Sequence, residues 1–261
     1  MNIVVCVKQV PDTLEVSVNA ETNTLIREGI DGVINPFDLY AVEEALRLKE
    51  QYGGVVTVLS MGPAQVIETL RQAMCLGAER GILLSDIGFA GADTLATSYT
   101  LARAVKKIGH FDFIICGRQA IDGDTAQVGP EIAAWLNIPQ ITCVSKILEI
   151  DEKRIKVERL TDYGYDIIET TLPCVITVNK EINEPRLPSL RGMMKAKKFK
   201  AQVWDSNSMD VDKKFIGLEG SPTRVVKIFA PPQKKGGEKH EGTPEELASI
   251  IARKFEEMKL I

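Results

Sequence analysis

The chain has 261 residues, 44% hydrophobic and 26% charged, and a formal net charge of -4. That length holds one large domain or two small ones, and its mild acidity gives no reason to expect general nucleic-acid binding, which needs a dense basic surface. Cys6, Cys75, Cys116, Cys143 and Cys174 are odd in number and form no CxxC pair, and His110 and His240 stand far apart, so metal, disulfide and His-based catalytic readings find no support.

Residues 3–7 (IVVCV) form a fully apolar, β-branched run that reads as a buried parallel strand. The start lacks the basic-then-apolar pattern of a secretory signal, and no stretch approaches the ~20 apolar residues of a membrane span, so the expected location is the cytoplasm. Residues 15–27 alternate and turn near Asn23, which predicts a hairpin excursion. Asn35-Pro36 predicts a helix start with Asn35 as N-cap, and this helix stops before Gly53-Gly54. Residues 55–61 (VVTVLSM) are the second strand; Gly62-Pro63 opens a helix that ends at Gly77. Residues 81–84 are a short third strand, and Asp93 caps a helix through about Ile108. Residues 111–116 (FDFIIC) make the fourth strand, followed by a polar loop and a helix through Trp135.

Strands alternating with helices predict βαβ units: an α/β fold with a doubly wound, mostly parallel, Rossmann-like sheet covered on both faces. After Thr142 the runs ILEI, RIKVERL and IIETTL predict antiparallel strands added at an edge, with residues 173–178 (PCVITV) as one more buried strand. From residue 181 the pattern loosens. Thr243 to Glu246 reads as a capping box opening a last amphipathic helix, with Leu247, Ile250, Ile251, Phe255 and Met258 on one face. The expected division is an α/β core over 1–185 and a C-terminal arm over 186–261.

In sheets of this kind ligands bind outside the carboxyl ends of the strands. That points to four loops, 8–13, 35–38, 61–64 and 117–129. The densest is Gly117 to Gly129 (GRQAIDGDTAQVG), with free glycines, the neutral polar groups of Thr125 and Gln127, and a helix start suited to phosphate. Asp124 can simply cap that helix and Asp122 can shape the turn, and the spacing leaves both readings open. A second segment, 217–224 (GLEGSPTR), offers Gly220, Ser221 and Arg224 to an anion, or is a surface turn. The basic run of Lys195, Lys197, Lys198 and Lys200 is a solvated face or a docking surface for an acidic partner. GxGxxG, GxxxxGK[ST] and GxSxG motifs are all absent.

Five ordered segments carry a resemblance that spans nearly the whole chain: VCVKQVPD, INPFDLYAVEEALRLKE, SMGPAQVIETLRQAMCLGAERGI, GRQAIDGDTAQVGP and NEPRLPSLRGMMKAKK. Together they resemble the electron-transfer flavoprotein β-subunit family. The resemblance implies a heterodimer with an α subunit that carries FAD, and an adenine-nucleotide site in the β subunit. Its nucleotide contacts fall on Cys6, Asn35, Phe37, Asp38, Met61 and on Asp122, Gly123, Asp124, Thr125, Ala126, Gln127, Val128 and Gly129. Leu190, Met194 and Lys195 lie in the segment resembling the loop that recognises a partner dehydrogenase.

GDTAQVGP and GLEGSPTRV resemble the electron-bifurcating type. This implies that the β subunit binds FAD, that NADH delivers hydride to it, and that electrons pass to ferredoxin or flavodoxin and, through the α-subunit FAD, to an acyl-CoA dehydrogenase or related flavoprotein. Gly220, Ser221 and Thr223 then join the cofactor site, with Lys8 and Arg118 as cations that tune the flavin. Two alternatives stay open: an AMP-binding structural subunit of a non-bifurcating flavoprotein, and a stand-alone ATP- or AMP-binding signalling module.

Overall fold

The computed structural model describes residues 1–12, 18–19, 24–25, 32–226 and 236–261. They divide into two compact units, Met1–Val226 and Lys227–Ile261. In chain order the elements are β1 (Asn2–Cys6), β2 (Gln9–Pro11), β3 (Val18–Asn19), β4 (Thr24–Leu25), β5 (Gly32–Ile34), α1 (Pro36–Tyr52), β6 (Val55–Met61), α2 (Ile67–Leu76), β7 (Arg80–Leu84) and α3 (Thr94–Ile108). They continue with β8 (Phe113–Gly117), α4 (Val128–Leu136), β9 (Gln140–Ile150), β10 (Arg154–Thr161), β11 (Gly164–Thr171), β12 (Cys174–Val178), α5 (Leu190–Lys198), β13 (Gln202–Trp204) and α6 (Pro244–Glu257). Among the described residues no helix is long and apolar enough to cross a membrane.

Nine strands form one sheet in the order β11-β10-β9-β12-β8-β1-β6-β7-β13. From β9 to β13 every neighbouring pair is parallel, while β9, β10 and β11 run antiparallel as a meander at one edge. The expected hairpin is present as the antiparallel pair Val18↔Leu25 and Asn19↔Thr24. The remainder of 15–27 lies outside the described residues, as do Thr13 and 231–235.

The apolar runs explain the layering. Successive side chains of a strand point to opposite faces. Ile3 and Val5 therefore join the core under α1 and α2, with Val42, Leu46 and Leu70, and Val4 joins the core under α3 and α4, with Ala102, Val105 and Ile132. Each fully buried Val or Ile here contributes about 1.5–3 kcal/mol. Gly77, at φ 130, ends α2 in a conformation that side chains rarely adopt, whereas α4 ends on Asn137 in the left-handed region.

Chain order and strand order first disagree beside β1. The chain runs β1, β6, β7 outward in one direction, then crosses back to lay β8 on the other side of β1. The connections leaving β1 and β8 diverge there and open a crevice at their carboxyl ends. Strand β13 is an addition the loose pattern after residue 181 did not predict: three residues pair with β7 at the far edge. In the second unit, α6 carries both halves of the expected capping box, since Thr243 accepts from the Glu246 amide and the Glu246 carboxylate from the Thr243 amide.

Candidate functional site

The loops leaving β1, β6, β7 and β8 surround one cavity of about 970 Å³. That is the upper end of the roughly 300–1,000 Å³ usual for small-molecule sites. Twelve of the residues singled out from sequence line it: Cys6, Lys8, Asp38, Met61, Arg118, Asp122, Gly123, Thr125, Ala126, Gln127, Val128 and Gly129.

Asn35 stands at the N-cap position of α1 but its side chain does not cap the helix. Fully buried, it donates from Nδ2 to the Gln119 carbonyl at 2.9 Å and accepts at Oδ1 from the Ile121 amide at 3.1 Å. It thereby ties the 117–129 loop to the start of α1. The capping expectation was reasonable locally; a tertiary demand for two buried backbone partners outweighed it. Asp38, one turn on, accepts from the Lys8 amide at 2.7 Å. Burial pushes its carboxyl up to about 7, against the opposing hydrogen bonds from Asn35, Lys8 and Gly117. Gly117 has no room for a Cβ, which would land on the Asp38 carboxylate and the Phe37 backbone.

Across the mouth, Lys8 Nζ binds the Asp122 carboxylate at 2.6 and 2.8 Å. The two open readings of the loop's aspartates resolve differently. Asp122 is spent on Lys8. Asp124 does not cap α4, whose N-cap residue is Gln127; the Asp124 carboxylate instead accepts from the Gln119 side-chain amide. Asp124 and Ala126 hold left-handed backbone, φ 53 and 55. Ala126 has no side-chain group to bond back, so the surrounding structure enforces its conformation. A left-handed residue followed by right-handed Gln127 is the backbone pattern of an anion-binding nest, and it leads into the unpaired amides of a helix start.

The sequence reading missed one wall. Residues 85–94, after β7, line the cavity through Ser85, Asp86, Phe89 and Thr94 among others. The signal was available, because a strand followed by a capped helix start (SDIGFAGADT) obeys the same carboxyl-end rule as the other loops. Asp93 caps α3 through the Ala96 amide at 3.1 Å. Burial alone would raise its carboxyl, but hydrogen bonds from Ala96 and Thr223 win and hold it below the usual range.

Those partners place the GLEGSPTR segment. Ser221 Oγ accepts from the Asp93 amide at 2.8 Å and donates to the Gly217 carbonyl at 2.7 Å. The Thr223 amide and hydroxyl both donate to Asp93 Oδ2, at 3.0 and 2.8 Å. Gly220 packs against the backbone of Phe215 and Ile216. Ser221 and Thr223 thus brace the third wall from behind, and neither they nor Gly220 belong to the cavity lining. Asn35, Phe37 and Asp124 likewise stand outside the lining. Leu190, Met194 and Lys195 lie on α5, with Leu190 78% and Met194 67% exposed.

Cys6 and Cys116 face each other in register on β1 and β8. Their mutual hydrogen bond and burial push the Cys116 thiol well up, so it stays protonated. Among the described residues no His/Cys/Asp/Glu group could hold a metal. The site therefore combines two helix starts, a nest-like loop, apolar walls at Val7, Met61, Phe89 and Leu101, and the cations Lys8 and Arg118. Such a set is suited to a phosphate-bearing ligand with an apolar portion.

Comparison with known proteins gives the family. The electron transfer flavoprotein domain model matches residues 22–209. The electron transfer flavoprotein subunit beta of Thermoanaerobacterium thermosaccharolyticum is 47% identical over 262 residues, covering 100% of both chains. The chain belongs to the electron transfer flavoprotein β-subunit family. Other relatives in this family are Protein FixA of Azotobacter vinelandii, 46% identical over 98% of this chain and 94% of its own, and the caffeyl-CoA reductase-Etf complex subunit CarD of Acetobacterium woodii, 45% identical over 100% of both chains. As a β subunit of this family, the chain presents this cavity at the β1/β8 switch point, where a doubly wound sheet is expected to hold a nucleotide.

Proposed function

We propose that this β subunit binds FAD in the cavity and works in NADH-dependent electron bifurcation, in a cytoplasmic heterodimer with an electron transfer flavoprotein α subunit. The observation that carries the reading is the cavity's extent. A cavity of about 970 Å³ reaching across four strand ends has room for a dinucleotide. The name of one relative, a subunit of a caffeyl-CoA reductase-Etf complex, adds support for a CoA-thioester-linked flavoprotein partner.

The residues present fit FAD. Val7, Met61, Phe89 and Leu101 offer apolar walls to a flat ring, and the 124–129 backbone with the α3 and α4 starts offers amides to a pyrophosphate. When bound, FAD would supply the redox chemistry, namely hydride acceptance from NADH and electron transfer to ferredoxin or flavodoxin and, by way of the α-subunit FAD, to an acyl-CoA dehydrogenase-type flavoprotein.

The chain's own residues position and tune. Thr125 and Gln127 supply neutral hydrogen bonds, and Lys8 and Arg118 place positive charge that favours an anionic reduced ring. Asp38 and Asn35 hold the first and fourth loops together. From residue 186 onward the chain carries partner-facing surfaces, with Leu190, Met194 and Lys195 meeting the dehydrogenase.

A flavin count on the purified αβ complex tests this. Two FAD per heterodimer, with NADH-driven ferredoxin reduction, is expected. One FAD and one AMP would overturn it in favour of the AMP-type subunit.

A further inference from the structure

The segment before α5 is held by an unusual concentration of charge. Glu43, Arg47 and Glu50 share one face of α1, four and seven residues apart. Arg186 reaches across to that face and donates from its amide and Nε to Glu43 Oε2, at 3.1 and 2.8 Å, and from Nη2 to Glu50 Oε2 at 3.0 Å. Arg47 donates from Nε to Glu43 Oε1 at 2.7 Å and from Nη2 to the Glu184 carbonyl at 3.2 Å. Just upstream, Asn183 donates to the Tyr40 carbonyl at 3.0 Å and to Glu44 at 2.9 Å.

The Glu43 side chain is only 4% exposed. Burial alone would raise its carboxyl, but Arg186 and Arg47 overcome that and hold it ionised. A buried carboxylate gripped by two guanidinium groups fixes the backbone it serves, since only one geometry satisfies all the donors. Beyond this anchor the surface turns apolar: Leu187 is 88% exposed and Leu190 78%. A second anchor follows at once. Gly192 lies so close to the Cys75 carbonyl of α2 that a Cβ there has no room. Exposed leucines between two fixed points form a preorganised projection rather than a loose loop.

We propose that Arg186, clamped between Glu43 and Glu50, is a positioning residue for partner docking: it sets the direction in which Leu190 meets the partner flavoprotein. The proposal rests on the reading that the face around Leu190 docks that partner. Arg186 itself need not touch it. Lysine at 186 keeps one charge but loses the fork that spans two carboxylates; Gln at 50 loosens the exposed half of the clamp and leaves buried Glu43 paired.

The test is a double-mutant cycle on the purified αβ heterodimer. The probe is whichever acyl-CoA dehydrogenase of the same organism the wild-type heterodimer serves with the highest kcat/KM. Arg186→Lys is expected to raise KM for the heterodimer about tenfold with kcat within about twofold, at unchanged flavin content, and Glu50→Gln to raise KM by a smaller factor. In a Leu190→Ala background the effect of Arg186→Lys is expected to vanish, because Arg186 acts through Leu190. If Leu190→Ala raises KM while Arg186→Lys and Glu50→Gln do not, or if the two effects simply multiply, the positioning role is overturned and the docking reading stands. If Leu190→Ala leaves KM unchanged, the docking reading itself fails and the proposal with it.

Discussion

Lys8 and Asp122 meet across the mouth of the cavity, Nζ bonded to both carboxylate oxygens at 2.6 and 2.8 Å, although they stand 114 positions apart in sequence. The pair joins the loop after β1 to the loop after β8, the two connections that diverge at the switch point. Their side chains are 50% and 28% exposed, so the pair contributes about 1 kcal/mol or less to folding. In the proposed function its value lies in holding a cation beside the nucleotide. Lys8→Met should leave the denaturation midpoint nearly unchanged and weaken nucleotide retention about tenfold, the size of losing one charged hydrogen-bond partner. Dialysis followed by nucleotide release measures this; full retention would count against a role for Lys8 in the site.

Asp38 makes stability depend on pH. Its carboxyl is pushed from 3.8 up to about 7 by burial. Between those values the folded state holds a proton that the unfolded state has lost. The associated stability is fully present below about pH 4 and disappears as pH rises through about 7, amounting to roughly 4 kcal/mol at most. Asp38→Asn removes this titration. Subtracting its stability curve from that of the wild type between pH 4 and 7 should leave a falling slope of at most one proton. A flat difference would show that Asp38 titrates normally.

The bracing of the third wall separates a structural role from a cofactor contact. Thr223→Val deletes the hydroxyl bond to Asp93 and keeps the amide bond, at a cost of about 1 kcal/mol. Asp93→Ala also removes the α3 cap, so about 2–3 kcal/mol is expected. Because Thr223 acts through Asp93, its substitution should cost little once Asp93 is Ala. Urea denaturation of the four proteins checks this, and additive losses would argue that Thr223 has another partner.

These contacts also mark where the sequence was legible. IVVCV, VVTVLSM, FDFIIC and PCVITV announced buried parallel strands because a strand covered on both faces reads as a nearly continuous apolar run. The carboxyl-end rule then located three sides of the cavity correctly. What local pattern could not carry was competition between partners. Asn35 looks like a cap from its neighbours, yet the backbone of Gln119 and Ile121, some 85 residues away, claims its side chain. Asp124 looks like a cap for α4, yet its left-handed backbone and Gln119 claim it. For Ser221 and Thr223 the local pattern gave no sign of Asp93, the partner that folding brings to both. Strand β13 was missed because three residues give no readable period.

Gly129 tests whether the start of α4 is as tightly seated as the structure requires. It is the second residue of the helix, and a Cβ there would lie 2.6 Å from Thr177 Cγ2 and 3.7 Å from Cys116 Cβ. Thr177 is buried, and its hydroxyl accepts from the Cys143 amide at 3.1 Å, so it cannot rotate away without losing that bond. Alanine at 129 must therefore push the helix start outward, into the cavity that Gly129 lines. About 1–3 kcal/mol of overpacking strain is expected, together with a loss of bound nucleotide. Gly123 provides the contrast within the same loop, since a Cβ there meets nothing nearer than Lys8 Nζ at 4.0 Å. Gly123→Ala should change folding stability by no more than about 0.5 kcal/mol. Thermal melts and nucleotide content of the two variants, measured in the heterodimer, decide the matter. Equal destabilisation by both substitutions would mean that α4 does not press against β8 and β12 as the structure has it.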